Sequence, residues 1–510
     1  MSNIINDLLL FFLNIKDINF KVSKYDNCIY ESLYFKDLEQ AKNFIIVLNK
    51  LLFFSFVLEK NFINIRLNKI SIDLFIFYYK KHFLNLNNKN IILDCIGLNV
   101  GKSAHFGHLR NVLLSKVIYK ELVREGYNVL IDTHIGDYGS TLFKFINYFY
   151  INKYSIVDVE KYTIEDLTNI YLSVGDVVND GFVDKVDEEY ISKMHNILLC
   201  KTKEYIKNIA FLLKVNITFY YGEYRYIKSC DNLYTYLQDK KIAYLNKDNN
   251  QLVTINNLSL TRSNGTYLYA FTDIATLYER YDKKYYACIY CVDIRQKQHF
   301  NMLFDFYSHM QNDHDMKLLY IGYGFVKNES NNVYKSRESS NNIILYLEKM
   351  YFLYKQLLYI EETITLSLLL YEIRHITDKD YMFLVDVFSD YIKLVNNFVM
   401  KMFEIQEKYC LSKDKDLLLE KIEVIFNSNF KKYTFSNIDE QIFILLLKQM
   451  EYNRKFVFNL FNKNINCNLL YTHFYQVVNL IYLDKFSGVN NNQISDMLFV
   501  LTYSVFYYYL

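Results

Sequence analysis

Two histidines three residues apart, His105 and His108, occupy a point in the sequence where a phosphate group could be bound. The segment His105-Phe-Gly-His108 follows an apolar run typical of a buried strand and precedes a stretch with helical spacing of apolar residues. The first turn of a helix has backbone N–H groups without intrahelical partners, and imidazoles beside them could neutralise charge that develops on an attacked phosphate. Gly107 would let the bulk of a ligand approach the backbone. The pattern therefore predicts a nucleotide triphosphate site.

Three basic residues could reach the outer phosphates of this nucleotide. Lys102 lies just upstream of the histidines, and Lys335 and Arg337 lie far downstream. Two histidines in a loop are often merely surface residues. The position directly after a buried strand is what favours a binding site here.

The elements that must hold the histidines form a strand–helix–strand pattern. Ile91–Ile96 reads as a strand, the stretch from about Leu109 to Arg124 reads as a helix with Gly126 as its C-cap, and Asn128–Asp132 reads as a second strand. Such a βαβ unit implies a parallel sheet that binds ligands beyond the carboxyl ends of its strands. Another strand-like run spans 285–292. We therefore expect an α/β protein with a Rossmann-like parallel-sheet catalytic domain.

Composition narrows the class of protein. The 510 residues include no Pro, no Trp and only 13 Gly, which excludes collagen-like repeats and Pro-rich linkers. Six of those glycines fall within the 43 residues from 97 to 139, where backbone and ligand would meet. The formal net charge of +2 gives no overall steering toward nucleic acid. Scattered cysteines and the absence of a signal-like or membrane-spanning run predict a soluble protein in a reducing, cytoplasmic compartment, with Cys288 and Cys291 as core residues.

Changes of pattern along the chain predict three domains. Residues 1–85 mix helical spacing with a short alternating run and form a small N-terminal α+β domain. Residues 86–345 form the catalytic domain, with an insertion around 141–260. Residues 346–510 have helical periodicity and form an α-helical bundle.

Two blocks of sequence around the histidines resemble a known family. The block Asn99-Val-Gly-Lys-Ser-Ala-His-Phe-Gly-His-Leu-Arg110 and the block Thr133-His-Ile-Gly-Asp-Tyr-Gly139 resemble the arginyl-tRNA synthetases, which are class I aminoacyl-tRNA synthetases. Lys102 stands three residues before the HxGH motif, as it does in that family.

Further segments support the resemblance, and order and spacing agree over roughly residues 60–340. Tyr334-Lys-Ser-Arg337 falls where the family has its often degenerate KMSKS signature. The others are Asn61–Leu67, Arg262–Thr266, Tyr269–Ala275, Cys291–Gln296 and Gln298–Phe300.

The resemblance implies an arginine–tRNA ligase that uses ATP, with Mg²⁺ on its phosphates and no structural metal. His105, His108, Lys102 and Lys335 would be catalytic, and with Gly107 and Arg337 they would bind ATP. Asp94 and Asn99 would contact arginine near its α-amino end, Tyr269 and Asp273 would surround its side chain, and Gln296 would close the pocket. Carboxylates suit this ligand because a guanidinium carries five hydrogen-bond donors.

The remaining partner in this interpretation is tRNA(Arg). It would be contacted by the N-terminal domain and gripped at its anticodon arm by the helical domain, and we expect a monomer. Asp137 belongs to the Thr133–Gly139 block that resembles the family, but it is equally well explained as a helix N-cap next to Gly136.

The sequence also departs from the family pattern. Ile96 and Leu98 replace the family's Ser and Pro, and Tyr138 replaces its Trp. Two alternatives stay open, the first of them because of the departures at Ile96 and Leu98. One is a catalytically weakened, synthetase-like RNA-binding protein, and the other is a nucleotidylyltransferase that uses the same HxGH loop on a different phosphate.

Overall fold

A computed structural model describes residues 21–22, 31–49, 54–67, 88–174, 187–248, 250–309, 315–334, 342–409, 456 and 460–461. Its N-terminal part is a four-stranded antiparallel sheet in the order β1-β2-β4-β3 with one helix. The helix α1 begins after the N-cap Asp37, whose side chain accepts a hydrogen bond from the N–H of Glu39. The elements are β1 (Lys21–Val22), β2 (Glu31–Tyr34), α1 (Leu38–Leu48), β3 (Phe54–Glu59) and β4 (Phe62–Leu67).

A four-stranded parallel sheet forms the centre of the protein, in the order β10-β9-β5-β6. The predicted βαβ unit is β5, α2 and β6, and Gly126 follows α2 with φ +83°, as a C-cap glycine does. The α/β class is therefore confirmed. The elements are β5 (Asn90–Asp94), α2 (Phe106–Arg124), β6 (Asn128–Asp132), β9 (Ala287–Asp293) and β10 (Lys317–Tyr323).

Between β6 and β9 the chain is mainly helical. A short 3-10 turn at Glu223–Tyr226 precedes α7, and β7 and β8 form an antiparallel pair. A second 3-10 turn, Ile294–Gln296, follows β9 and precedes α9. The elements are α3 (Ser140–Ile151), α4 (Ile156–Lys161), α5 (Ile164–Val174), α6 (Glu188–Leu212), α7 (Ile227–Asp239), β7 (Ala243–Leu245), β8 (Leu252–Thr254), α8 (Tyr269–Asp282) and α9 (Lys297–Ser308).

After β10, two short strands pair in parallel and three helices follow. β11 (Val326–Lys327) pairs with β12 (Tyr381–Met382). A strand within the predicted helical domain, 346–510, therefore pairs with a strand of the predicted catalytic domain. The helix α10 (Ile343–Leu353) runs across the predicted boundary at 345, and α11 (Ile360–Ile373) and α12 (Val385–Tyr409) complete the set. The predicted boundary at 85 and most of the predicted helical bundle lie outside the described residues.

Two further sequence predictions can be compared with the fold. Cys288 and Cys291 are free thiols buried in β9, as expected of core residues. In the part of the chain that the structure describes, no helix has both the length and the apolar character that crossing a membrane requires.

Candidate active site

A cavity of about 1030 Å³ opens at the carboxyl ends of the parallel strands. It is lined by every predicted site residue that the structure describes. These are Asp94, Asn99, Lys102, His105, Gly107, His108, Tyr269, Asp273 and Gln296. Lys335 and Arg337 lie outside the described residues, but the preceding Tyr334 lines the cavity.

The two histidines form the N-terminal cap of α2. The Nδ1 atom of His105 accepts a hydrogen bond from the N–H of Gly107 at 3.0 Å, and Nδ1 of His108 accepts one from the N–H of His105 at 3.1 Å. This is a capping box built from imidazoles. An accepting Nδ1 carries no proton, so in each neutral ring the proton is on Nε2. Nε2–H is a donor of the kind that binds a phosphate oxygen.

Both imidazoles are neutral at physiological pH. Burial lowers the pKa of His105 to about 4, with Arg295 contributing in the same direction. Burial, His105 and Lys102 together lower the pKa of His108 well below its ordinary value. The pair therefore presents hydrogen-bond donors at the positive end of a helix dipole without two adjacent positive charges.

The loop before the histidines is fixed by the insertion. The N–H of Gly101 donates to Thr202 Oγ1 at 3.1 Å, that of Ser103 to Thr168 Oγ1 at 2.7 Å, and that of Ala104 to the Tyr205 hydroxyl at 3.1 Å. Thr168 belongs to α5, and Thr202 and Tyr205 belong to α6. These two helices thus hold the loop from Gly101 to Ala104 in shape. The Lys102 Nζ lies over the ring of Tyr171, 3.9 Å from its centroid.

An aromatic contact connects the two motifs at the end of the cavity that the histidines line. Phe106, between the histidines, stacks on Tyr334 with 4.5 Å between ring centroids and 26° between ring planes. Lys335 is the next residue in the sequence. The contact brings the chain to the cavity wall directly before the predicted lysine.

The other end of the cavity is acidic. Asp273 lies on α8, with Oδ2 2.6 Å from Nε2 of His299 and Oδ1 3.5 Å from Nε2 of His134. Tyr269, one turn earlier on the helix, is exposed, and its ring centroid is 4.8 Å from that of His299. The predicted helical face carrying Tyr269 and Asp273 therefore exists and points into the cavity.

Glu223 is a second carboxylate in this acidic pocket. It lines the cavity from the 3-10 turn before α7. Burial raises its pKa to about 7, and the charges of Asp273 and Asp137 raise it while that of His134 lowers it. A cationic ligand beside Glu223 would favour its ionised form.

His134, which follows β6, stands among the acidic groups. Burial lowers the pKa of its imidazole, but four surrounding carboxylates raise it more, so that it lies above its ordinary value. These carboxylates belong to Asp94, Asp273, Glu223 and Asp132. Neither ring nitrogen of His134 has a hydrogen-bond partner among the described residues. The charges around His134 thus favour positive charge in this part of the pocket.

Asp94 is held by a buried arginine. Asp94 and Asp132 end adjacent strands in register, and Nη2 of Arg280 donates to both, at 2.6 Å and 2.8 Å. Arg280 lies on the same helix as Asp273, two turns further along. The guanidinium offsets part of the repulsion between the two neighbouring carboxylates, and its charge lowers the pKa of Asp132, which burial raises.

Asn99 and Gln296 lie at different depths of the cavity. Asn99 forms a bridge with Gly136, where a Cβ would collide with its side-chain oxygen. Gln296 is exposed and directly precedes α9, so it lies at the rim.

The alternative prediction for Asp137, a helix N-cap, is wrong. The N-cap of α3 is Gly139, and it makes no side-chain capping bond. Asp137 instead accepts a hydrogen bond from the N–H of Tyr224 at 2.8 Å, and its carboxylate lies where a Cβ of residue 222 would be. Asp137 therefore fixes the turn that carries Glu223.

The departure at Ile96 has a structural cost. Its φ is +59°, a left-handed conformation that is unfavourable for a β-branched side chain, by about 1–2 kcal/mol. Its N–H donates to Asn111 Oδ1 at 2.7 Å, and Asn111 Nδ2 donates to the carbonyl of Cys291 at 2.6 Å. Asn111 on α2 thus connects the strained residue, which follows β5, to Cys291 in β9.

Four residues of the cavity region were not singled out from the sequence, although each had a signal. His134 and His299 belong to segments that resemble the family, and Glu223 follows one of only 13 glycines. Arg280 lies seven residues after Asp273, which places both on the same face of a helix.

Residues 76–348, slightly more than half of the chain, match the family described as tRNA synthetases class I (R), catalytic domain. An arginine–tRNA ligase of Wigglesworthia glossinidia brevipalpis is 28% identical over 277 residues, which cover 48% of this chain and 47% of that protein. One of Fusobacterium nucleatum subsp. nucleatum is 30% identical over 278 residues, which cover 49% and 46%. The chain spans about half the length of the curated relatives it matches.

Among solved structures, the arginyl-tRNA synthetase of Plasmodium falciparum has a similar fold. The TM-score is 0.69 at 19% sequence identity, and the superposition covers 99% of this chain and 95% of that one. The likeness supports the class I synthetase fold.

Proposed function

This chain belongs to the class I (R) tRNA synthetases, the arginyl-tRNA synthetase family, and on that premise we propose that it is an arginine–tRNA ligase. It would activate L-arginine with ATP and transfer the amino acid to tRNA(Arg). The observation that carries the proposal is that a single cavity contains both a phosphate-binding end, at His105 and His108, and an acidic end, at Asp273 and Glu223. A nucleotidylyltransferase would need only the first of these.

In the first step the arginine carboxylate attacks the α-phosphate of ATP in line. A new P–O bond forms, the bond to pyrophosphate breaks, and arginyl-adenylate results. Most of the catalysis is positioning and charge stabilisation. The Nε2–H groups of His105 and His108 donate to the phosphate oxygens as their charge increases, and Lys102 contributes its charge. Lys335 and Arg337, which follow Tyr334, are proposed to reach the outer phosphates.

Arginine itself would lie across the acidic pocket. Asp273 and Glu223 accept hydrogen bonds from the guanidinium, and Asp94 and Asn99 hold the α-ammonium end. Tyr269 and Gln296 close the pocket at its mouth. Desolvating a guanidinium is costly unless its charge is matched, so the presence of two carboxylates favours arginine over neutral amino acids.

Magnesium would arrive on the phosphates of ATP, because it keeps several waters and needs few protein ligands. Of the described side chains, Asp94, Asp132 and His134 have ligand atoms within 4.8 Å of one another. Arg280 already bridges the two carboxylates of this group, so these residues do not fit a divalent cation.

In the second step a hydroxyl of the terminal adenosine of tRNA attacks the activated carbonyl and releases AMP. Residues 1–85 would contact the tRNA, 86–345 would hold the active site, and 346–510 would bind the anticodon arm. We propose a monomer that works in the cytoplasm.

The test of the arginine site is Asp273→Asn, with Asp282→Asn as its control on the same helix. Asp282 is exposed near the end of α8. Kd values for arginine and for ATP are measured by calorimetry. The proposal predicts that Asp273→Asn weakens arginine binding far more than ATP binding and that Asp282→Asn changes neither. Equal losses for both ligands would place Asp273 outside the arginine site.

A further inference from the structure

Arg110, in the second turn of α2, is a fully buried arginine whose five N–H donors all have partners. Nε donates to Oε1 of Glu372 at 3.0 Å. The four remaining donors bind backbone carbonyls at 2.8–3.0 Å. These carbonyls belong to Gly324, Lys379, Ile376 and Thr377.

The acceptors come from separate segments of the chain. Gly324 follows β10 and begins the segment that leads to Tyr334, whereas Glu372 lies on α11. Ile376, Thr377 and Lys379 form the turn between α11 and β12. Arg110 therefore joins the helix that starts with the histidine pair to the chain on either side of residues 335–341.

Other contacts fasten the same junction. The Glu372 carboxylate also accepts a hydrogen bond from the Tyr381 hydroxyl, at 2.7 Å, and the Arg110 guanidinium lies 4.8 Å from the centroid of that ring. Gly324 approaches the backbone of Lys379 so closely that a Cβ would collide with it. The paired strands β11 and β12 continue from this point.

We infer that Arg110 is a positioning residue that fixes the segment from Gly324 to Tyr334, which lines the cavity, against the histidine pair. The same guanidinium fastens this segment to α11 and to the turn that follows it. The inference rests on the proposed function, because it assigns the cavity wall from Gly324 to Tyr334 to the ATP site. It goes beyond that function in naming the residue that sets the relative placement of the two motifs.

The bonding pattern needs the planar fork of arginine. Lysine would keep the charge opposite Glu372, but its ammonium has only three donors and cannot reach the same carbonyls. If Arg110 served only to neutralise Glu372, Arg110→Lys would behave like the wild type. If it positions the segment, Arg110→Lys would shift the cavity wall from Gly324 to Tyr334, and a misplacement of about 1 Å can lower a rate about 100-fold.

The experiment measures arginine-dependent ATP–pyrophosphate exchange in the full chain with tRNA present. We expect Arg110→Lys to lower kcat about 100-fold while the KM for arginine changes less than about threefold, because the acidic pocket is untouched. The control is Lys116→Met. Lys116 is equally buried on α2, but its Nζ donates to the carbonyl of Leu213, away from the junction. This variant should keep the wild-type kcat.

A second measurement does not depend on activity. The N–H groups of Tyr381 and Phe383 donate to the carbonyls of Phe325 and Lys327, so their hydrogen exchange reports whether β11 and β12 stay paired. We expect exchange at these two amides to become at least about tenfold faster in Arg110→Lys, with no change in β5 or β9.

The outcomes are decisive. Wild-type kcat in Arg110→Lys, or an equal loss in Lys116→Met, overturns the inference. If Arg110→Lys does not fold, Gly324→Ala is used instead, because its added Cβ would push the Gly324 backbone away from Lys379. Wild-type kcat in Gly324→Ala, or an equal loss of kcat in Lys116→Met, would then overturn the inference. If the wild-type chain shows no arginine-dependent exchange, the proposed function has failed, and amide exchange alone decides: unchanged rates at Tyr381 and Phe383 overturn the inference.

Discussion

The ring of Phe106 stacks on the ring of Tyr334, although the two residues lie more than 200 positions apart in the sequence. Phe106 separates the two histidines, and Tyr334 directly precedes Lys335. The HxGH motif and the Tyr-Lys-Ser-Arg segment are thus in direct contact. A lysine that follows Tyr334 starts at the wall of the cavity.

Removing the Tyr334 ring should therefore slow adenylate formation. Aromatic pairs contribute about 0.5–1.5 kcal/mol beyond their buried area, so Tyr334→Ala should lower kcat up to about tenfold, whereas Tyr334→Phe should retain it. Tyr359→Ala is the control, because Tyr359 stacks on Phe403 outside the cavity. The rate of pyrophosphate exchange is the measurement. Equal rates for Tyr334→Ala and Tyr334→Phe would show that the stacking does not position the lysine.

The capping role of His105 can be separated from its chemical role. Asparagine is a good N-cap, so His105→Asn should keep α2 intact while removing the Nε2–H donor. We expect His105→Asn and His108→Ala each to raise the barrier to adenylate formation by about 2–4 kcal/mol, with arginine binding nearly unchanged. Single-turnover rates and circular dichroism measure the two effects. A wild-type rate in either variant would remove that imidazole from the mechanism.

Arginine binding should depend on pH. Glu223 binds a guanidinium only when ionised, and its pKa in the free protein is about 7. Protonated His134 repels the ligand at low pH as well. The Kd for arginine should therefore fall as the pH rises from 6 to 8, by up to about tenfold per pH unit below the pKa. Calorimetry measures it. Glu223→Gln should bind arginine more weakly and lose most of this dependence; a flat profile in the wild type would mean that Glu223 does not touch the guanidinium.

The Asp94–Arg280–Asp132 bridge should be important for stability. Arg280→Met leaves two buried carboxylates facing each other and should lower the free energy of unfolding by about 3–5 kcal/mol at pH 7. Burial already raises the pKa of Asp132, and loss of the guanidinium would raise it further, so the loss should shrink as the pH falls toward 5 and this carboxyl binds a proton. Urea unfolding at both pH values measures this. Arg225→Met, which removes a partly exposed pair with Glu279, should cost no more than about 1 kcal/mol. A similar loss in the two variants would contradict the account.

The sequence was sufficient to predict those parts of the site that short, continuous stretches of residues determine. Apolar runs and glycine positions were enough to place β5, α2 and β6, and the spacing of Tyr269 and Asp273 was enough to place them on one helical face. Contacts between distant segments were not predictable. Nothing local to Asp94 shows that Arg280 would bind it, since the two residues are 186 positions apart.

Asp137 shows how a local rule can mislead. An acidic residue beside glycine before a helix is a good N-cap candidate. In the structure the turn at Tyr224 offers an N–H to the same carboxylate, and this long-range bond prevails. The left-handed φ of Ile96 was likewise not predictable, because a β-branched residue disfavours it and nothing local to Ile96 shows that Asn111 would bind its N–H.

The most direct test of the central claim is a charging assay with the purified chain, total tRNA, ATP and each of the amino acids in turn. The account predicts that arginine alone is attached to tRNA, and that Asp273→Asn abolishes this at arginine concentrations that saturate the wild type. Binding of tRNA without attachment of any amino acid would contradict it and would favour the synthetase-like RNA-binding protein instead.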